Sequence, residues 1–171
     1  MFKKAPFFFL FLLLSVSLSA QTAPKYGHMN LGILLELLPD TKTANEGLKV
    51  FADKLGAKDD SLGRALQASA ETLQKEYDSG ILTPVQAQQR QAELQKQQEF
   101  LQKFEQEANQ MVTAKREELL KPILTKVDDA IKAVAKENGY SMIFDTSTGA
   151  MLFATDTDDV TVLVKKKLGL E

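Results

Sequence analysis

Few residues in this chain could do bond-making chemistry, and their spacing argues against it. Asp156-Thr157-Asp158-Asp159 starts like a calcium loop. The sixth place of such a loop needs glycine and the twelfth needs glutamate; here they are Thr161 and Lys167. Capping of a following helix accounts for the cluster better. His28 is the single histidine and there is no cysteine, so it has no partner of its kind for a metal, and a Ser-His-Asp triad has little support. No phosphate-cradling glycine loop is present, which argues against ATP-driven work. The expectation is a protein without cofactor or metal and without enzymatic activity. What remains is the chemistry of apolar and amide surfaces.

Those surfaces sit on two long helical arms, residues 41–138, folded back at Ser79-Gly80-Ile81-Leu82-Thr83-Pro84. Gly80 can take the left-handed conformation that ends a helix. Thr83 is a good N-cap, Pro84 suits the first helical position, and Gln86 completes a capping box. Leu48, Phe51, Leu55, Leu62, Leu66, Leu73 and Tyr77 recur at helical spacing along the first arm. Asp59 and Ser69 interrupt that stripe, and Gly47, Gly56 and Gly63 each weaken the helix by roughly 1 kcal/mol relative to alanine. The second arm starts with ten glutamines between Gln86 and Gln110. Ala92, Leu94, Leu101, Phe104, Ala108, Met111 and Leu119 carry a helical stripe through them, and Ile123, Val127, Ile131 and Val134 continue it into a denser base. Pro122 predicts a kink.

At the tip, Ile81 and Leu82, with Tyr77 nearby and Phe100 on the flank of the second stripe, are the candidates for gripping an apolar partner. Each has a structural alternative. Leu82 suits a hydrophobic staple, Ile81 suits closure of the preceding helix, and Tyr77, Phe104 and Met111 suit the seam between arms.

The arms must be held by a small body, residues 21–40 and 139–171. Tyr26 to Met29 reads as a strand. Asn30 caps a helix over residues 31–38 that Pro39 stops. Ser141 to Phe144 and Ala150 to Ala154 read as two strands of a hairpin about the turn Thr146-Ser147-Thr148-Gly149. Asp158, Asp159 or Thr161 caps a last helix through Leu168, with Lys165, Lys166 and Lys167 at its C-terminus. The fold class is α+β. Tyr26, Met29, Met142, Ile143, Phe144, Leu152 and Phe153 are the candidates for the body core or for contact between copies. Domains near 60 residues are marginal alone, so this body should gain core by oligomerising.

Residues 1–20 read as a cleaved secretory signal peptide. Lys3 and Lys4 precede the apolar run Phe7 to Leu14, and Ser17-Leu18-Ser19-Ala20 offers small residues for cleavage. The run is short for a membrane span, so no stable membrane insertion is expected after cleavage. Loss of the two lysines takes the net charge from −2 to −4, which argues against a general nucleic-acid binder.

Three segments together suggest a family. They are Lys25-Tyr26-Gly27-His28-Met29-Asn30, then Ala135-Lys136-Glu137-Asn138-Gly139-Tyr140 leading to Asp145, then Asp159-Val160-Thr161 with Val164 and Leu168. In that order, around a long helical hairpin and after a signal peptide, they resemble the Skp/OmpH family of periplasmic chaperones. The resemblance implies a homotrimer with a small β-rich body and three helical tentacles around a cavity. It also implies ATP-independent holding of unfolded outer-membrane proteins in the periplasm. One departure stands out. Familiar members carry basic tentacles, whereas residues 71–110 here hold Lys75, Arg90, Lys96 and Lys103 against Glu71, Glu76, Asp78, Glu93, Glu99, Glu105 and Glu107. This departure puts charge-driven capture of acidic clients or of lipopolysaccharide in doubt and leaves open whether binding is apolar or electrostatic. The rival reading is a structural or adaptor coiled-coil protein of the cell envelope, but such adaptors flank their hairpin with larger β-domains than this body has room for.

Overall fold

The computed structural model describes residues 23–170; the expected signal peptide lies outside the described residues. The chain runs through strand β1 (Lys25–Met29), helices α1 (Leu31–Leu37), α2 (Pro39–Asp78) and α3 (Pro84–Asn138), strand β2 (Tyr140–Asp145), a 3-10 turn at Asp156–Asp158 and helix α4 (Thr161–Leu168).

Helices α2 and α3 are the two arms. At 1.5 Å rise per residue they are about 60 and 80 Å long. Half-buried positions on α2 step alternately by four and three through Leu48, Ala52, Leu55, Asp59, Leu62 and Leu66. That is the seam of a coiled coil. Asp59, Ser69, Glu76 and Gln97 occupy half-buried seam positions, so polar groups dilute it. From Leu48 to Leu120 the only buried side chain is Phe104, which lies beneath the Lys58 ammonium at 4.9 Å from the ring centroid. Tyr77 and Met111 are exposed rather than in the seam.

The core lies where the arms end. Met29 of β1, Leu34 of α1, Leu38, Ala44 of α2, Ile123, Val127, Ala130 and Val134 of α3, and Val160 and Val164 at α4 form one buried cluster. Asn30 caps α1 by accepting from the Ile33 N–H at 3.0 Å. Pro39 does more than stop α1: it opens α2 at the first helical position, where its missing N–H costs nothing. Helix α3 is continuous through Pro122. The Asp40 carboxylate meets the Lys126 ammonium at 2.7 Å across the base. Gly139, at φ +70°, ends α3.

The strand pairing differs from the expected hairpin. β2 pairs with β1 in parallel, Tyr26 against Met142 and His28 against Phe144. The turn after β2 exists: Gly149 has φ +71° and donates to the Thr146 carbonyl at 3.3 Å. Residues 150–154 nevertheless form no strand. The reason lies in β1, which is bridged on its other side by Asp159, with the Val160 N–H donating to the His28 carbonyl at 2.9 Å. The chain must cross β1 between residues 146 and 158, and 150–154 are that crossing. The crossing passes over His28, whose Nε2 lies 2.9 Å from the Thr155 carbonyl oxygen. On the opposite, core-facing side of β1 the close approach of Val160 and Tyr140 favours Gly27, since a Cβ there would come within 2.7 Å of Val160 Cγ1 and 3.1 Å of the Tyr140 ring. The expected side-chain cap of α4 is not formed: the N-cap is Val160, which has no side chain able to cap, and Asp159 one residue earlier accepts from the Thr161 N–H at 2.7 Å in a local turn.

Candidate functional site

The tip is built from local rules. Helix α2 closes with the Gly80 N–H donating to the Tyr77 carbonyl at 3.0 Å and the Ile81 N–H to the Glu76 carbonyl at 3.2 Å, with Gly80 at φ +65°. This is a Schellman ending, which normally pairs an apolar residue at the place of Ile81 with one at the place of Glu76. Glu76 offers no such partner, and Ile81 is left 71% exposed. Thr83 opens α3: its Oγ1 accepts from the Gln86 N–H at 3.3 Å, and its N–H donates to Gln86 Oε1 at 2.9 Å. Leu82 is half-buried, as is Ala87 at the staple position.

Tyr77 is 66% and Phe100 54% exposed. Val85, 64% exposed, was missed by sequence reasoning. Its signal was available: as the second residue of α3 it falls outside the stripe that Ala87 and Leu94 define.

The hairpin has two unlike sides. One carries a groove of about 500 Å³ with Ala70, Leu73 and Leu94 below and Gln74, Tyr77, Gln88 and Gln91 around it. The other carries a groove of about 340 Å³ lined by Leu62, Leu66, Glu93, Lys96 and Phe100. Tyr77 and Phe100 therefore serve different faces. The first is neutral and amide-rich; the second is charged.

Among the body candidates, Met29 is buried and Ile143 half-buried against the core. Tyr26, Met142, Phe144, Leu152 and Phe153 are exposed and lie outside the protomer's own core. Tyr26, Met142 and Phe144 share the outer face of the two-stranded sheet, with the Tyr26 and Phe144 rings 6.3 Å apart. Leu152 and Phe153, on the crossing, are 97% and 83% exposed.

The Asp145 carboxylate ties the end of β2 to the start of α1 and to the turn that follows β2. Burial pushes its pKa up, but the Ser147 N–H at 2.8 Å, the Ser147 hydroxyl at 2.7 Å and the Leu31 N–H at 3.1 Å win, so the carboxyl titrates below its usual range. Among the described residues there is no group of three or more metal-ligating side chains, and no helix long and apolar enough to cross a membrane.

Comparison with known proteins places this architecture. The family model for outer membrane protein (OmpH-like) matches residues 25–168. The chaperone protein Skp of Pectobacterium atrosepticum is 27% identical over 164 residues, covering 92% of this chain and 93% of the relative. A crystal structure of a candidate outer membrane chaperone (OmpH-like) from Caulobacter crescentus superposes with a TM-score of 0.71 at 19% identity, covering 86% of this chain and 85% of that one.

Proposed function

The chain belongs to the OmpH-like family of outer-membrane chaperones, and from that premise we propose that it is an ATP-independent holdase of the periplasm for unfolded outer-membrane proteins. The observation that carries the reading is the pair of projecting arms with Tyr77, Ile81, Val85 and Phe100 exposed along their outer third. A folded partner would be met by a fixed, complementary patch. Scattered apolar side chains on a thinly packed lever suit a client that presents many different apolar segments. The reading includes no catalysis and no cofactor.

The holdase works as a homotrimer. A two-stranded parallel sheet with an apolar outer face needs a cover, because parallel sheets are stable when both faces are buried. Tyr26, Met142 and Phe144, with Leu152 and Phe153 beside them, meet the same residues of other copies. Closed cyclic symmetry then points all arms the same way and encloses a space between them. The number three comes from the family resemblance.

The test is suppression of aggregation when a urea-unfolded β-barrel outer-membrane protein is diluted into the purified protein without nucleotide. The expected result is a soluble complex at one client per oligomer. Replacing Ile81, Leu82 and Phe100 together by serine lowers affinity about tenfold or more, given roughly 1.5–3 kcal/mol for each such side chain fully buried. Aggregation unaffected by the protein overturns the reading in favour of a bridging envelope component.

A further inference from the structure

The glutamines of the second arm form a continuous exposed stripe. Gln88, Gln91, Gln95, Gln98, Gln102 and Gln106 recur at steps of three and four, so they share one face of α3 over about 27 Å. The face is exposed throughout and interleaves with few charges. Gln67, Gln74 and Gln95 are tied to carboxylates four residues on, at 3.0, 2.9 and 3.3 Å. Gln88, Gln91, Gln98 and Gln102 make no such bond among the described residues. At its tip end the stripe forms one wall of the groove floored by Leu73 and Leu94 and flanked by Tyr77. Along the α2 side of the same face lie Gly56, Gly63 and Ala70 at seven-residue intervals, and a Cβ added at Gly56 or Gly63 would meet nothing within 4 Å.

An apolar floor with amide walls matches one kind of occupant. An extended polypeptide presents side chains in one direction and unpaired N–H and C=O groups in another. A primary amide offers two donors and an acceptor with two lone pairs, so it can meet either backbone group without choosing a sequence. A neutral wall also avoids repelling clients of either charge, which the net negative arms would otherwise do for acidic ones. The opposite side of the hairpin, with Glu93 and Lys96, lacks this property.

We infer that the Gln88–Gln106 face of the hairpin, with its groove beside Tyr77, binds the main chain of an extended client by amide hydrogen bonds, so that client recognition is read from the backbone as well as from apolar side chains. The inference rests on the holdase reading and names the chemistry of its client surface.

The test uses the full mature protein and two variants. In one, Gln88, Gln91 and Gln98 become methionine, which keeps length and helix propensity but removes the hydrogen bonds. In the other they become glutamate, which keeps acceptors, loses donors and adds charge. The probes are an uncharged extended peptide alternating threonine and valine, the same peptide N-methylated at alternate residues, and a urea-unfolded β-barrel protein. Backbone recognition predicts that the methionine variant binds the plain peptide about tenfold more weakly, on the order of the loss of one or two hydrogen bonds. It also predicts that N-methylation weakens binding to the wild type but not to that variant. The glutamate variant should also be weaker for the plain peptide. Purely apolar binding predicts the opposite sign, since methionine would then strengthen it, and that result overturns the inference. If the β-barrel protein is held equally by wild type and methionine variant, the holdase reading stands and the amide role fails. If neither holds it, the holdase reading itself fails.

Discussion

The base of the hairpin and its outer two-thirds are made of the same two helices and differ in what those helices bury. At the base Val127 is 1% and Val134 2% exposed, and Leu34, Leu38, Val160 and Val164 close around them. Beyond Leu120 toward the tip the seam is, apart from Phe104, a single thickness of half-buried side chains, crossed by Asp59, Ser69, Glu76 and Gln97. Two helices alone bury one side chain along the arm, Phe104 beneath Lys58, and leave the rest half-open; the base succeeds because α1, α4 and β1 supply the missing walls. The difference separates two tasks. The base fixes the direction of the arms, and the arms leave apolar and amide groups exposed.

The largest effect should follow from breaking the base. Leu34 is 0% exposed, and Leu34→Ala should lower stability by about 2–5 kcal/mol. Leu66→Ala, at a half-buried seam position, should cost less than half as much, because part of that surface already meets water. Urea midpoints of the two variants check this, and equal losses would erase the contrast.

Stiffening the arm sharpens the comparison from the other side. Gly56 and Gly63 are helical, and an added Cβ meets nothing within 4 Å. Gly56→Ala with Gly63→Ala should stabilise the arm by about 1–2 kcal/mol in total. The gain should appear as slower amide exchange in α2 with little change at Val127. Slower exchange of the base instead would mean that arm and base unfold as one unit.

A smaller effect belongs to the body. The pKa of Asp145 is lowered in the folded state, so its contribution is present above the unfolded value of about 4 and is lost as pH falls through the folded value. Asp145→Asn should therefore destabilise the protein at pH 7, and the gap to wild type should close in acid. Urea titrations at pH 7 and pH 3 measure it; a gap that widens in acid would contradict the assigned hydrogen bonds.

The same division governs what could be read from the sequence. The tip was legible residue by residue, because Gly80, Thr83, Pro84 and Gln86 act on atoms within four positions of themselves. The buried base was legible from the rising density of Ile123, Val127 and Val134. The sheet was not. A turn at Gly149 followed by an apolar run looks like a hairpin, and the residues that defeat it, Lys25–Met29 on one side and Asp159 on the other, act from a distance along the chain. Tyr26, Met142, Phe144, Leu152 and Phe153 could be read only as body core or contact between copies, and the structure exposes them. Alternation marks a side chain as apolar, but it cannot distinguish the interior of one copy from a surface between copies. On the arms, Val85 could have been read from its place outside the α3 stripe, but the separation of Tyr77 from Phe100 required the relative rotation of the two helices, which no single stripe specifies.

The account turns on the arm being loose until it is occupied while the base stays firm. Hydrogen exchange followed by mass spectrometry, with and without a urea-unfolded β-barrel protein, tests it most directly. Without client, amides around residues 56–95 should exchange fast and those around 123–135 slowly. With client, protection should rise across 77–106 and stay unchanged at 123–135. Uniform protection along both arms in the free protein, or protection by client confined to the base, would contradict it.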